Sequence, residues 1–262
     1  AADNLDKNNI IGKWYGTSTY GSNYLGLVLE ANNIDDQLRV TISFYSPDEK
    51  DIMTVNDAKI ESNQLHMRIT DNLRNFDSGL IFSLSEGELK GISESFRNNI
   101  MHYNHWTLTR DHTYSNPDLA AMEQLFNQFE IEIEKIGYAK AAVNHFDRYS
   151  KLVNQNYVPE EPYLNRKGYN LLEDGDVKKA LDIFELAVLL YPQSVNPYDS
   201  YAEALSIAGK REEAMKILTE GYELAKKTND SNLPLIEANL NKLKEGKSLN
   251  QEAVPPPPPP QP

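Results

Sequence analysis

The chain has 262 residues, 40% hydrophobic and 25% charged, and its 26 Lys and Arg against 39 Asp and Glu give a formal net charge of -13. That balance excludes a protein whose main work is gripping nucleic acid, because neutralising phosphates takes clustered Lys and Arg. Without cysteine there is no disulfide framework and no thiolate metal site, and no apolar run reaches the roughly 18 residues of a membrane span.

The sequence opens Ala1-Ala2-Asp3, with no Met, no charged n-region and no apolar h-region. This fits either removal of an export signal or a trimmed chain. Residues 1–9 read as an N-terminal extension. From Ile10 to Arg110 short apolar alternations are broken by turn residues, as in QLRVTISFY, QLHMRIT, GLIFSLS and ELKGISESF, bounded by Asn33-Ile34-Asp35-Asp36, Ser62-Asn63 and Ser85-Glu86-Gly87. This spacing predicts an antiparallel meander of about eight strands over residues 10–110, closed or nearly closed into a barrel.

Residues 111–116 read as a linker. Ser115-Asn116-Pro117 is a helix start, and Leu119, Met122, Phe126, Phe129, Ile133 and Ile136 follow at helical spacing. A second helix over Tyr138 to Val153 completes a looser pair. The helical region spans 117–246 and contains a repeat: 161–194 over 195–228 pairs Leu171 with Leu205, Gly175 with Gly209, Ala180 with Ala214, and Phe184 with Leu218, each 34 apart. Small residues at Gly168/Ala202 and Ala187/Gly221 suit close helix crossings, Gly175 and Gly209 suit turns, and Pro192 ends a helix. A last helix over 232–245 caps the stack, and 247–262 form a Pro-rich tail.

A 34-residue helical repeat of this kind is the tetratricopeptide pattern. LNRKGYNLL, YPQS and NPYDSYAEAL closely resemble the tetratricopeptide module behind secreted bacterial serine hydrolases, of both beta-lactamase-like and alpha/beta-hydrolase types. The N-terminal half resembles a lipocalin-type (calycin) barrel, with Gly12-Lys13-Trp14 in its first strand and Arg110 closing its last. The resemblance implies that Arg110 stacks across Trp14, a cation–π pair of about 0.5–2 kcal/mol. The residues alone are equally compatible with an ordinary buried Trp and a strand-ending Arg. The expected fold is α+β and multidomain: an antiparallel lipocalin-like barrel followed by an all-α array of tetratricopeptide hairpins.

The chemistry of the hydrolases is missing. Neither Gly-x-Ser-x-Gly nor Ser-x-x-Lys occurs, so no catalytic residue is assigned. His102 and His105 fall on opposite faces of a strand, His112 lies in the linker and His145 on a helix. Asp48-Glu49-Lys50-Asp51 lacks the glycine and the ligand periodicity of a calcium loop, and Asp174-Gly175-Asp176 reads as the turn inside the first repeat, which needs no metal. No metal or cofactor is expected. His102 and Asn104 share the face of Trp106 and Leu108, which leaves two readings: a partly polar pocket for a small ligand, or a register shift that turns both groups to water.

Tetratricopeptide arrays bind on the face built from the first helix of each hairpin. By register that face carries Asn165, Tyr169 and Leu172, then Asp199, Glu203 and Ser206. It suits an extended basic or proline-rich segment, and the alternative is that these helices only pack against the barrel. Pro255, Pro256, Pro257, Pro258, Pro259 and Pro260 impose polyproline geometry, so that Val254 to Pro262 extend roughly 28 Å, as a solvated spacer or as an arm that docks on a protein. The expected function is a non-enzymatic binding or scaffold subunit of a larger bacterial assembly, extracytoplasmic (periplasmic or outer-membrane-associated), with protein partners, no nucleic acid and no transmembrane segment. A lipocalin-like carrier of a small ligand is the alternative, and a divergent hydrolase the third reading.

Overall fold

The computed structural model describes residues 4–18, 26–55, 57–71, 76–97, 100–113 and 117–249. Among them a four-residue helix, α1 (Lys7–Ile10), precedes nine strands: β1 (Gly12–Ser18), β2 (Gly26–Ile34), β3 (Gln37–Tyr45), β4 (Lys50–Thr54), β5 (Asp57–Glu61), β6 (Gln64–Asp71), β7 (Phe76–Ser85), β8 (Glu88–Arg97) and β9 (Ile100–Thr109). Helices α2 (Leu119–Ile136), α3 (Tyr138–Val153), α4 (Glu161–Glu173), α5 (Val177–Leu190), α6 (Asn196–Ile207), α7 (Arg211–Thr228) and α8 (Leu233–Lys244) follow. The architecture is α+β, a strand-rich half followed by a helical half.

The strands form one antiparallel sheet in the order β4-β3-β2-β1-β9-β8-β7-β6-β5. Three hairpins turn on pairs of positive-φ residues, Asp35-Asp36 (51° and 59°), Ser62-Asn63 (50° and 66°) and Glu86-Gly87 (55° and 78°), the twist that matches two-residue connections between right-twisted strands. Successive strands β4 and β5 stand at opposite ends of this order, so the sheet must curl for so short a link to join them. Among the described residues no ladder joins the two ends, and the expected barrel is instead an open, curled sheet of nine strands. The Val55 N–H, between the two edges, donates to the Val40 carbonyl of β3 at 3.1 Å. Both edges are five residues long, and β5 exposes Asp57, Lys59 and Glu61; charges on short edges oppose further strand pairing.

One face of the sheet is filled by Leu27, Leu29, Ile42, Leu65, Phe82, Leu89, Trp106 and Leu108. Ile10, at 0% exposure, belongs to the same core, and so does Leu5, at 3%, although the sequence places residues 1–9 outside the barrel. The other face of β1 to β3 meets the first half of α2: Tyr45 and Phe126 rings lie 5.7 Å apart, and Lys13 pairs with Glu123 at 2.8 Å. Because of these contacts the compact units are not divided at the linker. Residues 1–128 and 145–157 form one unit, and 129–144 with the residues from 158 onward form the other.

In the second unit α4 to α8 each pack on the next, and α4 also meets α6. Four of these helices end in one motif, three of them on a glycine and α7 on Asn229 (φ 51°), where the Asp230 N–H meets the Ala225 carbonyl at 2.9 Å. Gly175 (φ 80°), Gly209 (φ 75°) and Gly246 (φ 81°) follow the ends of α4, α6 and α8. The next residue in each case reaches back five positions: Asp176 N–H to the Leu171 carbonyl, Lys210 to Leu205, and Lys247 to Lys242, at 2.8, 2.8 and 2.9 Å. This is the Schellman arrangement, in which a left-handed residue satisfies helix-end carbonyls. Behind the turns, Ala180, Phe184, Ala214 and Leu218 are fully buried. A Cβ on Gly168 would lie 2.5 Å from the Phe184 ring, so a glycine here lets α4 and α5 close on that ring.

Candidate partner-binding face

The α4–α6–α8 side of the helical unit carries a continuous set of polar contacts. Asn165, Tyr169 and Leu172 recur at helical spacing on α4, as Asp199, Glu203 and Ser206 do on α6. The Tyr169 hydroxyl donates to Glu203 Oε2 at 2.7 Å, and the Ser200 hydroxyl donates to Asn165 Oδ1 at 2.8 Å. Between α8 and α6, Asn239 Nδ2 donates to Asp199 Oδ1 at 3.1 Å. Nearer the end of α6, the Ser206 hydroxyl lies 3.3 Å from that of Ser248 and accepts the Leu249 N–H at 3.0 Å.

Burial governs the ionisation of this face. It holds the Tyr169 phenol far above its ordinary value, with the Glu203 carboxylate adding to the effect. It also raises the Asp199 carboxyl, against the Asn239 hydrogen bond and the nearby Lys242 charge. The sequence reading missed Ser200, Asn239, Ser248 and Leu249. The third turn glycine, Gly246, was the available signal, since it marks α8 as another helix of the α4 and α6 type, whose inward residues then belong to the same face. Pro255 to Pro260 lie outside the described residues.

At the start of the sheet, the Arg110 guanidinium carbon stands 3.8 Å from the centroid of the Trp14 ring. Arg110 donates to the carbonyls of Asn9 and Ile11, each at 2.8 Å, and of Lys13 at 3.1 Å. Trp14 Nε1 donates to the Ile10 carbonyl at 2.8 Å. Gly12 has φ 104°, and a Cβ there would lie 2.7 Å from Arg110 Nη1, so the turn and the guanidinium both require glycine. These contacts fasten α1 to the sheet. Pro192 follows α5, and its carbonyl accepts from the Tyr198 hydroxyl at 3.3 Å.

Of the histidines, His112 pairs with Asp118 at 2.9 Å. His145 is buried, its Nε2 2.9 Å from the Pro47 carbonyl, and desolvation lowers its pKa to about 4. His105 is exposed, whereas the side chains of His102 and Asn104 lie outside the described set. Inside the sheet, Trp106 Nε1 donates to the buried Ser93 hydroxyl at 2.9 Å. No helix among the described residues is long and apolar enough to cross a membrane. No family model matches the chain, and no curated protein matches it.

Proposed function

We propose that this chain is a non-enzymatic protein-binding or scaffold subunit, that its helical unit is a tetratricopeptide array and its sheet a lipocalin-like module, and that the α4–α6–α8 face takes an extended segment of a partner. The observation that carries the reading is the hydrogen-bonded ladder Asn165–Ser200 and Tyr169–Glu203, which holds half-buried polar groups in fixed positions across two helices. Preorganised groups lose little side-chain freedom on association. The array reading is supported by the 34-residue offset shared by Gly175 and Gly209, whose turns have the same hydrogen bonds. The lipocalin reading is supported by the Trp14–Arg110 stack. An extracytoplasmic bacterial location belongs to the same proposal and rests on the resemblance to modules of secreted hydrolases.

Native capture followed by mass spectrometry tests it. A stoichiometric partner with the natural chain, lost when Asn165→Ala and Glu203→Gln are combined, is the expected outcome. A co-purified small molecule in place of a protein would transfer the function to the sheet.

A further inference from the structure

We infer that the outer face of β7 to β9 is a contact surface for a second copy of this chain, with β8 lying antiparallel on β8 of that copy. Strand alternation sends Lys90, Ile92 and Glu94 of β8 to one side. All three are exposed, whereas Leu89 and Ser93 beside them in sequence are buried. Register places Ile81 of β7 and His105 of β9 directly opposite Ile92, Ser83 and Thr107 opposite Lys90, and Gly79 and Tyr103 opposite Glu94. The centre of this patch is apolar, with Ile81 43% and Ile92 41% exposed and Tyr103 at 53% in the next row.

On β1 to β3 the same outer side of the sheet meets α2, through Phe126 on Tyr45 and Glu123 on Lys13. On β7 to β9 it stays open to water. Two isoleucines paired across strands, with a tyrosine one row away, make a contiguous apolar patch, and such patches mark contact surfaces where scattered single residues do not.

Charge selects the occupant. The outward order along β8 is Lys90, Ile92, Glu94, so a copy turned antiparallel about Ile92 sets Lys90 against Glu94 twice and Ile92 against Ile92, the self-complementary arrangement of a two-fold contact. The flanking rows exchange with it: the bulky Tyr103 faces the smaller Thr107, and Ser83 faces Gly79. A parallel copy would set Lys90 on Lys90 and Glu94 on Glu94, which like-charge repulsion opposes. Lys90 pairs with Glu88 on its own strand at 3.0 Å while half of its side chain stays exposed, and an ammonium has three donors to share. The outer side of a curled sheet is convex, so two copies touch along one strand and its two neighbours. Three strands at about 4.8 Å spacing and roughly 30 Å in length cover on the order of 400 Å² per copy, about half of a standard interface. The dimer is therefore weak, with a Kd on the order of 100 μM.

Sedimentation equilibrium of the full chain from about 10 to 500 μM tests this, each variant being checked for the natural midpoint in tryptophan fluorescence. The natural chain should show a reversible monomer–dimer equilibrium, and Ile92→Glu a monomer throughout. Lys90→Glu and Glu94→Lys should each weaken the dimer about tenfold by bringing like charges together. An equal mixture of those two variants should return the affinity to within about threefold of the natural chain, because each copy then supplies the charge the other lacks while the pair keeps its natural total charge. A monomer at every concentration, a dimer that survives Ile92→Glu, charge variants that associate as the natural chain does, or a mixture no tighter than its components would each overturn the proposal.

Discussion

The sheet unit and the helical unit handle buried polar groups differently. Among the described residues inside the sheet, two buried polar contacts are local pairs, Trp106 with Ser93 and Ser78 with the Glu94 carbonyl, set beside a large apolar cluster. In the helical unit they form a series that runs from α4 through α6 to α8 on one side. Strands satisfy their backbone through their neighbours, so the sheet's side chains serve mainly to fill it. Helices satisfy their backbone internally, which leaves the side chains of one face to define what that face can meet.

The largest test of that contrast is core truncation read separately in each unit. Both tryptophans, Trp14 and Trp106, lie in the sheet, so their fluorescence reports that unit, whereas far-UV dichroism is dominated by the helices. Phe82→Ala should cost about 3–5 kcal/mol and move the fluorescence transition in urea, and Phe184→Ala a similar amount in the dichroism transition. If both variants moved both transitions together, the division would not be an energetic one.

Acid should act next, and on the sheet unit first. His145 has a folded-state pKa of about 4 against an ordinary 6.5, so the unfolded chain binds the extra proton as pH falls from about 6.5 toward 4. Stability is full above that window and is lost through it, by no more than about 3 kcal/mol. His145→Gln should flatten this part of the urea-midpoint profile between pH 7 and 4.

A smaller effect is expected at the start of the sheet. Arg110→Met removes three hydrogen bonds to backbone carbonyls and the stack on Trp14. Since water can reach these carbonyls, the loss should be about 1–2 kcal/mol, seen as a lower midpoint in tryptophan fluorescence. The smallest change has the opposite sign. Asp199 is raised by burial, and Asp199→Asn retains an acceptor for Asn239, so at pH 7 it should stabilise the helical unit by under about 1 kcal/mol in thermal unfolding.

The change from alternating to helical periodicity near residue 110 was legible in the sequence because burial on one face imposes its own period on each kind of element. The Gly175 and Gly209 turns were legible for a related reason, since a left-handed residue at a helix end selects glycine. Closure of the sheet was not legible: β4 and β5 are short and carry charges, and whether such edges pair depends on geometry that no local pattern encodes. Equally hidden was the role of α2, whose Leu119 and Phe126 showed helical spacing but not the sheet residues Gly26 and Tyr45 beside which they lie. On the candidate face, helical register found Asn165, Tyr169, Asp199 and Glu203. Their partners Ser200 and Asn239 were missed because hydrogen bonds between helices leave no periodic trace, and Leu249 because a single leucine beyond a helix has no repeat to announce it.

On the proposed function the α4–α6–α8 face contacts a protein partner. Native capture with the natural chain and with the combined Asn165→Ala and Glu203→Gln variant, both checked for equal thermal midpoints, tests it most directly. A stoichiometric protein held by the natural chain and absent from the variant is the expected result; a partner retained equally by both would overturn the proposed function.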